Sequence, residues 1–372
     1  MKTITIRQFS CFCGLALMSF KFLGLPSLMY TFNADGGLVT ALCLLLLDVA
    51  MVFLAIGLKK KFPDYSLYEL IQFKLGKIIA KIFYVFLAVV FFCQMIFLLN
   101  ETSTYMHDVV NEEMTNYYIL FVLFPVVACL VKNGIKNFAR TTEFVFGFII
   151  IGFVVCLLLG EGSVSFGHLG PFFENGFATF FDSVFSLTFF FTDFLFVYIF
   201  LDKVQAQKKD YKYLYFVIAL VCVLLAILYI SYFKLYSITA TFHKNAIADV
   251  TQYRRVIGNV GNLDIFVILF VFFSLFFQSA IIFYSLSEIY KRIFGYDNVL
   301  HSIIAIIITI IILEYLVFVN LAKITQFVII YMRYFSAFLF TIMPIYLLCI
   351  LIFAKRRNKN ADGKTHFLQD FK

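Results

Sequence analysis

The chain has 372 residues, 63% of them hydrophobic and only 14% charged, with a formal net charge of +8. So few polar side chains cannot cover the surface of a water-soluble domain this long, which sets aside soluble enzymes and soluble nucleic-acid-binding domains. With 52 Phe, 22 Tyr and no Trp, any interfacial aromatic belt is built from phenylalanine and tyrosine.

Ten apolar stretches follow in chain order, at residues 9–32, 36–58, 78–99, 117–131, 144–160, 177–201, 213–235, 264–290, 300–320 and 334–354. About 20 apolar helical residues cross a bilayer core. The fourth and fifth stretches are short and are expected to borrow loop residues. The reading is an all-α integral membrane protein with ten transmembrane helices. Residues 1–354 form one polytopic domain, and residues 355–372 a short basic tail.

Most Lys and Arg residues fall in alternate gaps. They include Lys59, Lys60 and Lys61 in the second gap, Lys132, Lys136 and Arg140 in the fourth, and Lys203, Lys208, Lys209 and Lys212 in the sixth. Lys291 and Arg292 occupy the eighth, and Lys355, Arg356 and Arg357 follow the last span. This excess places both termini in the cytoplasm and explains the net charge without a nucleic-acid partner. The third gap, Asn100 to Asn116, is acidic (Glu101, Asp108, Glu112, Glu113) and is expected outside. The long seventh gap, about 236–263, breaks the bias with Lys244, Arg254 and Arg255. The positive residues Lys323 and Arg333 also count to the outward gaps.

Ionisable residues inside spans are costly and need a partner or a purpose. Lys21 lies in the first span within Ser19-Phe20-Lys21-Phe22-Leu23-Gly24-Leu25-Pro26. Gly24 and Pro26 can interrupt a helix there. One reading is a ligand or ion site at an unwound first helix; the other is a kinked helix with Lys21 snorkelling to the cytoplasmic side. Asp48, mid-way along the second span, either neutralises Lys21 or takes part in proton coupling. Asp182 and Asp193 share the sixth span. As a continuous helix, eleven residues bring them back to one face about 16 Å apart, on a stripe with Ser186. Asp193, with Thr188 and Thr192 beside it, is the ligand-site candidate, whereas Asp182 is either interfacial or near an outer mouth. Gln94, Asn100 and Gln278 are weaker candidates, since interhelical hydrogen bonds explain most such residues.

All eight cysteines lie within apolar spans and read as small buried residues, with no disulfide framework. No nucleotide loop, nucleophile elbow or metal-binding spacing is present, so neither enzyme chemistry, a metal nor a cofactor is expected.

Ten spans divide into five plus five, and an odd-numbered repeat inserts in opposite orientations. Spans one and six then correspond, and they carry the most unusual polar content. Residues 177–201 contain no glycine or proline, so a break in span six rests on Thr188, Thr192 and Asp193 alone.

Four segments resemble the spore germinant-receptor B subunit family of the amino acid–polyamine–organocation superfamily. They are Ile6-Arg7-Gln8-Phe9 with Gly24-Leu25-Pro26; the run Lys61-Phe62-Pro63-Asp64-Tyr65-Ser66-Leu67-Tyr68-Glu69-Leu70 with Leu75-Gly76-Lys77-Ile78; Asn133-Gly134-Ile135-Lys136-Asn137-Phe138-Ala139-Arg140-Thr141-Thr142-Glu143; and Leu169-Gly170-Pro171-Phe172-Phe173-Glu174-Asn175-Gly176. The likeness runs over roughly residues 5–295. It implies a LeuT-like 5+5 inverted repeat with broken helices 1 and 6 around a central pocket. It also implies nutrient sensing in the spore inner membrane, beside an A-type and a lipoprotein C-type subunit, with amino acids as the usual ligand class. Two departures stand out. Phe190-Phe191-Thr192-Asp193 replaces the Pro-Phe-Gly-Glu often found in the family, and Lys21 is unexpected and suggests a tethered ammonium in place of a bound cation.

The resulting expectation is a receptor subunit in which ligand contacts come from Ser19, Lys21, Gly24, Leu25, Thr188, Thr192, Asp193 and Gln278. The ligand carboxylate would meet amides near Gly24 and Leu25, and its ammonium would meet Asp193. Lys21, Asp48 and Asp193 are the candidates for ion or proton coupling. An amino-acid permease is the alternative, and a glycan or lipid exporter a more distant one.

Overall fold

The computed structural model describes residues 3–34, 36–63, 65–109, 116–160, 176–205, 211–252, 263–295, 298–316 and 321–360. The chain opens with strand β1 (Ile4–Thr5), helix α1 (Ile6–Met18), a 3-10 turn at Ser19–Phe22 and α2 (Leu25–Phe32). There follow α3 (Gly37–Lys61), α4 (Leu67–Leu75), α5 (Lys77–Val109), α6 (Asn116–Lys132) and α7 (Ile135–Gly160). The second half begins with α8 (Gly176–Leu187), a 3-10 turn at Thr188–Phe191, α9 (Phe194–Phe200), a 3-10 turn at Leu201–Lys203 and β2 (Val204–Gln205). Next come α10 (Tyr211–Tyr236), a 3-10 turn at Ser237–Phe242, α11 (Ala246–Gln252), α12 (Leu263–Phe294) and α13 (Val299–Leu316). The last elements are α14 (Leu321–Phe327), a π turn at Val328–Met332 and α15 (Arg333–Asn360).

Among the described residues, seven stretches are long and apolar enough to cross a membrane: Gly37–Lys61, Lys77–Val109, Ile135–Leu158, Gly176–Lys203, Tyr211–Tyr236, Phe266–Phe294 and Ala322–Cys349. Three shorter apolar helices are Ile6–Met18, Val122–Lys132 and Val299–Tyr315. Their outer faces are greasy. On α7, Phe144, Ile151 and Leu158 recur every seven residues and are largely exposed, while Phe146, Ile149, Phe153 and Cys156 point into the bundle. A surface of this kind is stable against hydrocarbon, since helix interiors satisfy their backbone groups within the segment.

Three helix boundaries differ from the sequence expectation, each because an amphipathic segment continues a helix past its apolar run. α5 extends to Val109, so Asn100, Glu101, Thr102 and Ser103 are buried helical residues and not part of an outward loop. α7 starts at Ile135: Ile135, Phe138, Ala139 and Thr142 are buried while Lys136, Asn137 and Arg140 face outward, a helical spacing. Span five is therefore full length, and the turn before it is pinned by Gly134 at φ 81°. The last span begins near 322, which takes Lys323 and Arg333 into helix. The short helix α4 is started by a capping box in which Ser66 Oγ accepts from the Glu69 amide and Glu69 Oε2 accepts from the Ser66 amide.

Small residues set the packing distances. A Cβ on Gly14 would lie 2.7 Å from both Phe146 and Val217, so glycine lets α1 lie against α7 and α10. Gly152 of α7 gives the same close approach to Phe270 of α12. β1 and β2 pair in parallel, Ile4 with Val204 and Thr5 with Gln205, which ties the segment before α1 to the segment after α9. Next to them lies a cluster of ion pairs: Arg292 with Asp202 at 2.6 Å and with Glu69 at 3.9 Å, and Glu288 with Lys203 at 2.5 Å and Lys291 at 3.1 Å.

Candidate functional site

The first and sixth apolar stretches of the sequence are both interrupted, and the two interruptions meet. In the first, α1 ends at Met18 and α2 begins at Leu25, leaving backbone groups without helical partners. Each of two such groups is met from elsewhere. Leu23 O accepts from the Ala246 amide at 3.2 Å, and the Gly24 amide donates to Glu101 Oε1 at 2.8 Å. Pro26 lies in the first turn of α2, where its missing N–H costs nothing. Gly24 has an ordinary negative φ of −77°. Its requirement is space, since a Cβ there would stand 2.8 Å from Glu101 Oε1.

The sixth segment breaks without glycine or proline. Hydroxyls and carboxylates hold the interruption between α8 and α9. Thr188 Oγ1 donates to Phe185 O and pairs with Ser336 Oγ at 2.6 Å. Thr192 Oγ1 donates to Phe189 O at 2.7 Å and accepts from Gln94 Nε2 at 2.8 Å. The Phe194 amide donates to Asp48 Oδ1 at 3.2 Å. These bonds replace what helix-breaking residues would otherwise impose through the backbone.

Lys21 joins the two breaks. Its Nζ lies 2.7 Å from Asp48 Oδ2, 2.6 Å from Asp193 Oδ2 and 4.7 Å from the centroid of the Phe191 ring. All three charged side chains are closed off from solvent, at 0% exposure in the ion pairs. Lys21 therefore does not snorkel. Asp48 pairs with it and, through its other oxygen, caps α9, a second task that the sequence reading did not assign. An ammonium seated between two carboxyl groups and over a ring is well compensated for lost hydration.

Leu25 is buried at the start of α2. Gln278 is buried on α12, a helix that packs against the 3-10 turn at Ser19–Phe22. The Ser19 side chain lies outside the described residues, as do Arg254, Arg255, the segment 169–175 and the tail beyond 360. Asp182 and Asp193 do not share a stripe. The 3-10 turn between them winds more tightly than an α-helix and ends its register. Asp182 is exposed and 4.0 Å from Arg333, while Asp193 is buried. The expected amide site is also altered, because Glu101 already occupies the Gly24 amide and Lys21 already sits on Asp193.

Besides Glu288 of the ion-pair cluster, two buried acids among the described residues escaped the sequence reading. Glu101 is 4% exposed, and Glu314, also buried, accepts from Asn100 Nδ2 at 2.9 and 3.1 Å. Glu101 stands next to the apparent end of an apolar run and so resembles a loop residue. Its helical spacing from Phe97 was the available signal. Beside Gly24 and Glu101 opens a cavity of about 660 Å³, lined by Ser27, Thr31, Thr104, Thr241, Lys244, Asn245, Thr325 and Gln326 among others.

Apolar helices whose interruptions meet on buried charge define a helical integral membrane protein with a polar centre. Residues 3–322 match the family of spore germination proteins, and the chain belongs to that family. It is a family of membrane permeases and receptors and not of enzymes. No curated protein matches the chain.

Proposed function

We propose that this chain is the nutrient-sensing membrane subunit of a spore germinant receptor, binding a small amino-acid-like ligand at the junction of its two interrupted segments. In this reading the seven long and three shorter apolar helices make ten crossings in a LeuT-like 5+5 inverted repeat. Both termini are cytoplasmic, and the protein sits in the spore inner membrane with A-type and lipoprotein C-type subunits. The observation that carries it is the bridge from Lys21 to Asp48 and Asp193, which ties both breaks to one charged centre. With the basic residues inside, the cavity beside Gly24 opens outward and the ion cluster around Arg292 closes the inner side. Lys21 acts as a tethered cation, so that ligand binding shifts the relative stability of two arrangements of the breaks, which the partner subunits read. Asp48 and Asp193, the two acids on Lys21, are the groups that couple the cycle to a proton or an ion.

The test uses spores carrying Lys21→Met. The expected result is loss of nutrient-triggered germination with the chain still present in the membrane, and no flux of labelled amino acids through wild-type chain in proteoliposomes. Germination unaffected by Lys21→Met overturns the reading. The cavity on one side and the closed ion cluster on the other also suit an alternating-access amino-acid permease. Substantial flux in proteoliposomes selects that second reading.

A further inference from the structure

Among the residues lining the 660 Å³ cavity, Glu101 is the acid and Lys244 the base. Glu101 is buried, yet only one of its oxygens is used. Oε1 accepts from the Gly24 amide, whereas Oε2 has no hydrogen-bond partner among the described residues. The N-terminal end of α2, which begins at Leu25, faces the same side chain through Gly24. A buried acid with an unused oxygen at a cavity wall is poorly solvated, and a donor carrying positive charge suits it best. The walls around it offer hydroxyls and amides, from Ser27, Thr31, Asn245 and Gln326, and the exposed Lys244 supplies a cation for the opposite end of a zwitterion.

We propose that Glu101, and not Asp193, receives the ammonium group of the ligand, in the cavity beside the first break. This deepens the sensing reading and rests on it for the ligand's biological role. Asp193 is committed to Lys21, so a ligand ammonium there would have to displace a covalently tethered one. Glu101 needs no such exchange. The same carboxylate holds the Gly24 amide, so a cation on Oε2 pulls on the residue that forms the break. The neighbouring Leu23 carbonyl is held by Ala246 of α11. Ligand capture is thereby coupled to α11 and to the geometry of the first break, which also carries Lys21.

The test is ligand binding to the purified full-length chain in lipid nanodiscs, read as a shift in Tm. Four probes are used: a pool of L-amino acids, a pool of the matching primary amines lacking the carboxylate, a pool of the matching carboxylates lacking the amine, and inositol as a neutral polyol. The amino-acid and amine pools are expected to raise Tm, and the carboxylates and inositol to leave it unchanged. Glu101→Gln keeps a carbonyl oxygen for the Gly24 amide, so its Tm without probe serves as the folding control. It is expected to bind both ammonium-bearing pools at least about tenfold more weakly, the loss of one charge-assisted bond. Equal binding by Glu101→Gln, a response to carboxylates or inositol in place of the ammonium pools, or no response to any probe overturns the proposal. Glu101-dependent binding in a chain whose deletion leaves germination intact removes the sensing reading and leaves this site standing.

Discussion

Replacing Lys21 by Met tests the charged centre most directly. Its two contacts, 2.7 and 2.6 Å, each correspond to about 6 kcal/mol of gross attraction at an effective dielectric constant of about 20, most of it offset by lost hydration. Removing one partner of a buried pair leaves the other uncompensated and typically costs about 3–5 kcal/mol. In Lys21→Met two carboxylates are left facing each other, so the loss falls at the upper end of that range. Asp193→Asn in the same chain removes one of them, while Asp48 keeps the Phe194 amide. The double variant should then recover at least about 1–2 kcal/mol of the sum of the single losses, within the usual range for residues in contact. Reversible unfolding of the four chains in mixed detergent micelles closes this cycle. Additivity to within about 0.5 kcal/mol, the behaviour of independent sites, refutes the bridge.

Gly14→Leu should overpack the α1 contact with Phe146 and Val217 and destabilise the fold by about 1–3 kcal/mol or more, seen as a lower Tm in detergent. Gln94→Leu removes the donor to Thr192 Oγ1 and should cost about 1 kcal/mol, with the sixth-segment break exchanging amide hydrogens faster; unchanged exchange around Phe189–Phe194 contradicts the role given to that hydroxyl. Burial holds Asp249 above its ordinary 3.8, against the opposing Asn245 amide bond and His243, with Asp108 adding to the rise. The folded form therefore binds the proton more tightly, and α11 should lose stability as pH climbs from about 4 through the raised value. Exchange at residues 246–252 measures this, and Asp249→Asn should flatten the dependence.

The membrane character and the first break were legible in the chain itself. Apolar runs of hydrocarbon length announce helices, and Gly24 with Pro26 announces an interruption. Boundaries were less legible, because Arg140 and Lys136 at the start of α7, or Glu101 in α5, look like loop residues once hydropathy alone is weighed. The sixth break was visible only as polar residues in an apolar run. Its effect on register, which separates Asp182 from Asp193, lay in a change of helix type that residue spacing cannot report. The convergence of Lys21 with Asp193 is a contact between distant parts of the chain, and local periodicity carries no information about it. Asp48 as the pin of both breaks was hidden for the same reason, since its second partner is a backbone amide.

The pairing of Lys21 with Asp48 also bears on how the protein is made. Asp48 follows Lys21 by 27 residues, within the hairpin of the first break and α3. A nascent chain leaving the insertion machinery can thus enter lipid with its early positive charge already neutralised, long before the helix bearing Asp193 has been synthesised. Replacement of Asp48 should therefore reduce the amount of chain reaching the membrane more than replacement of Asp193 does.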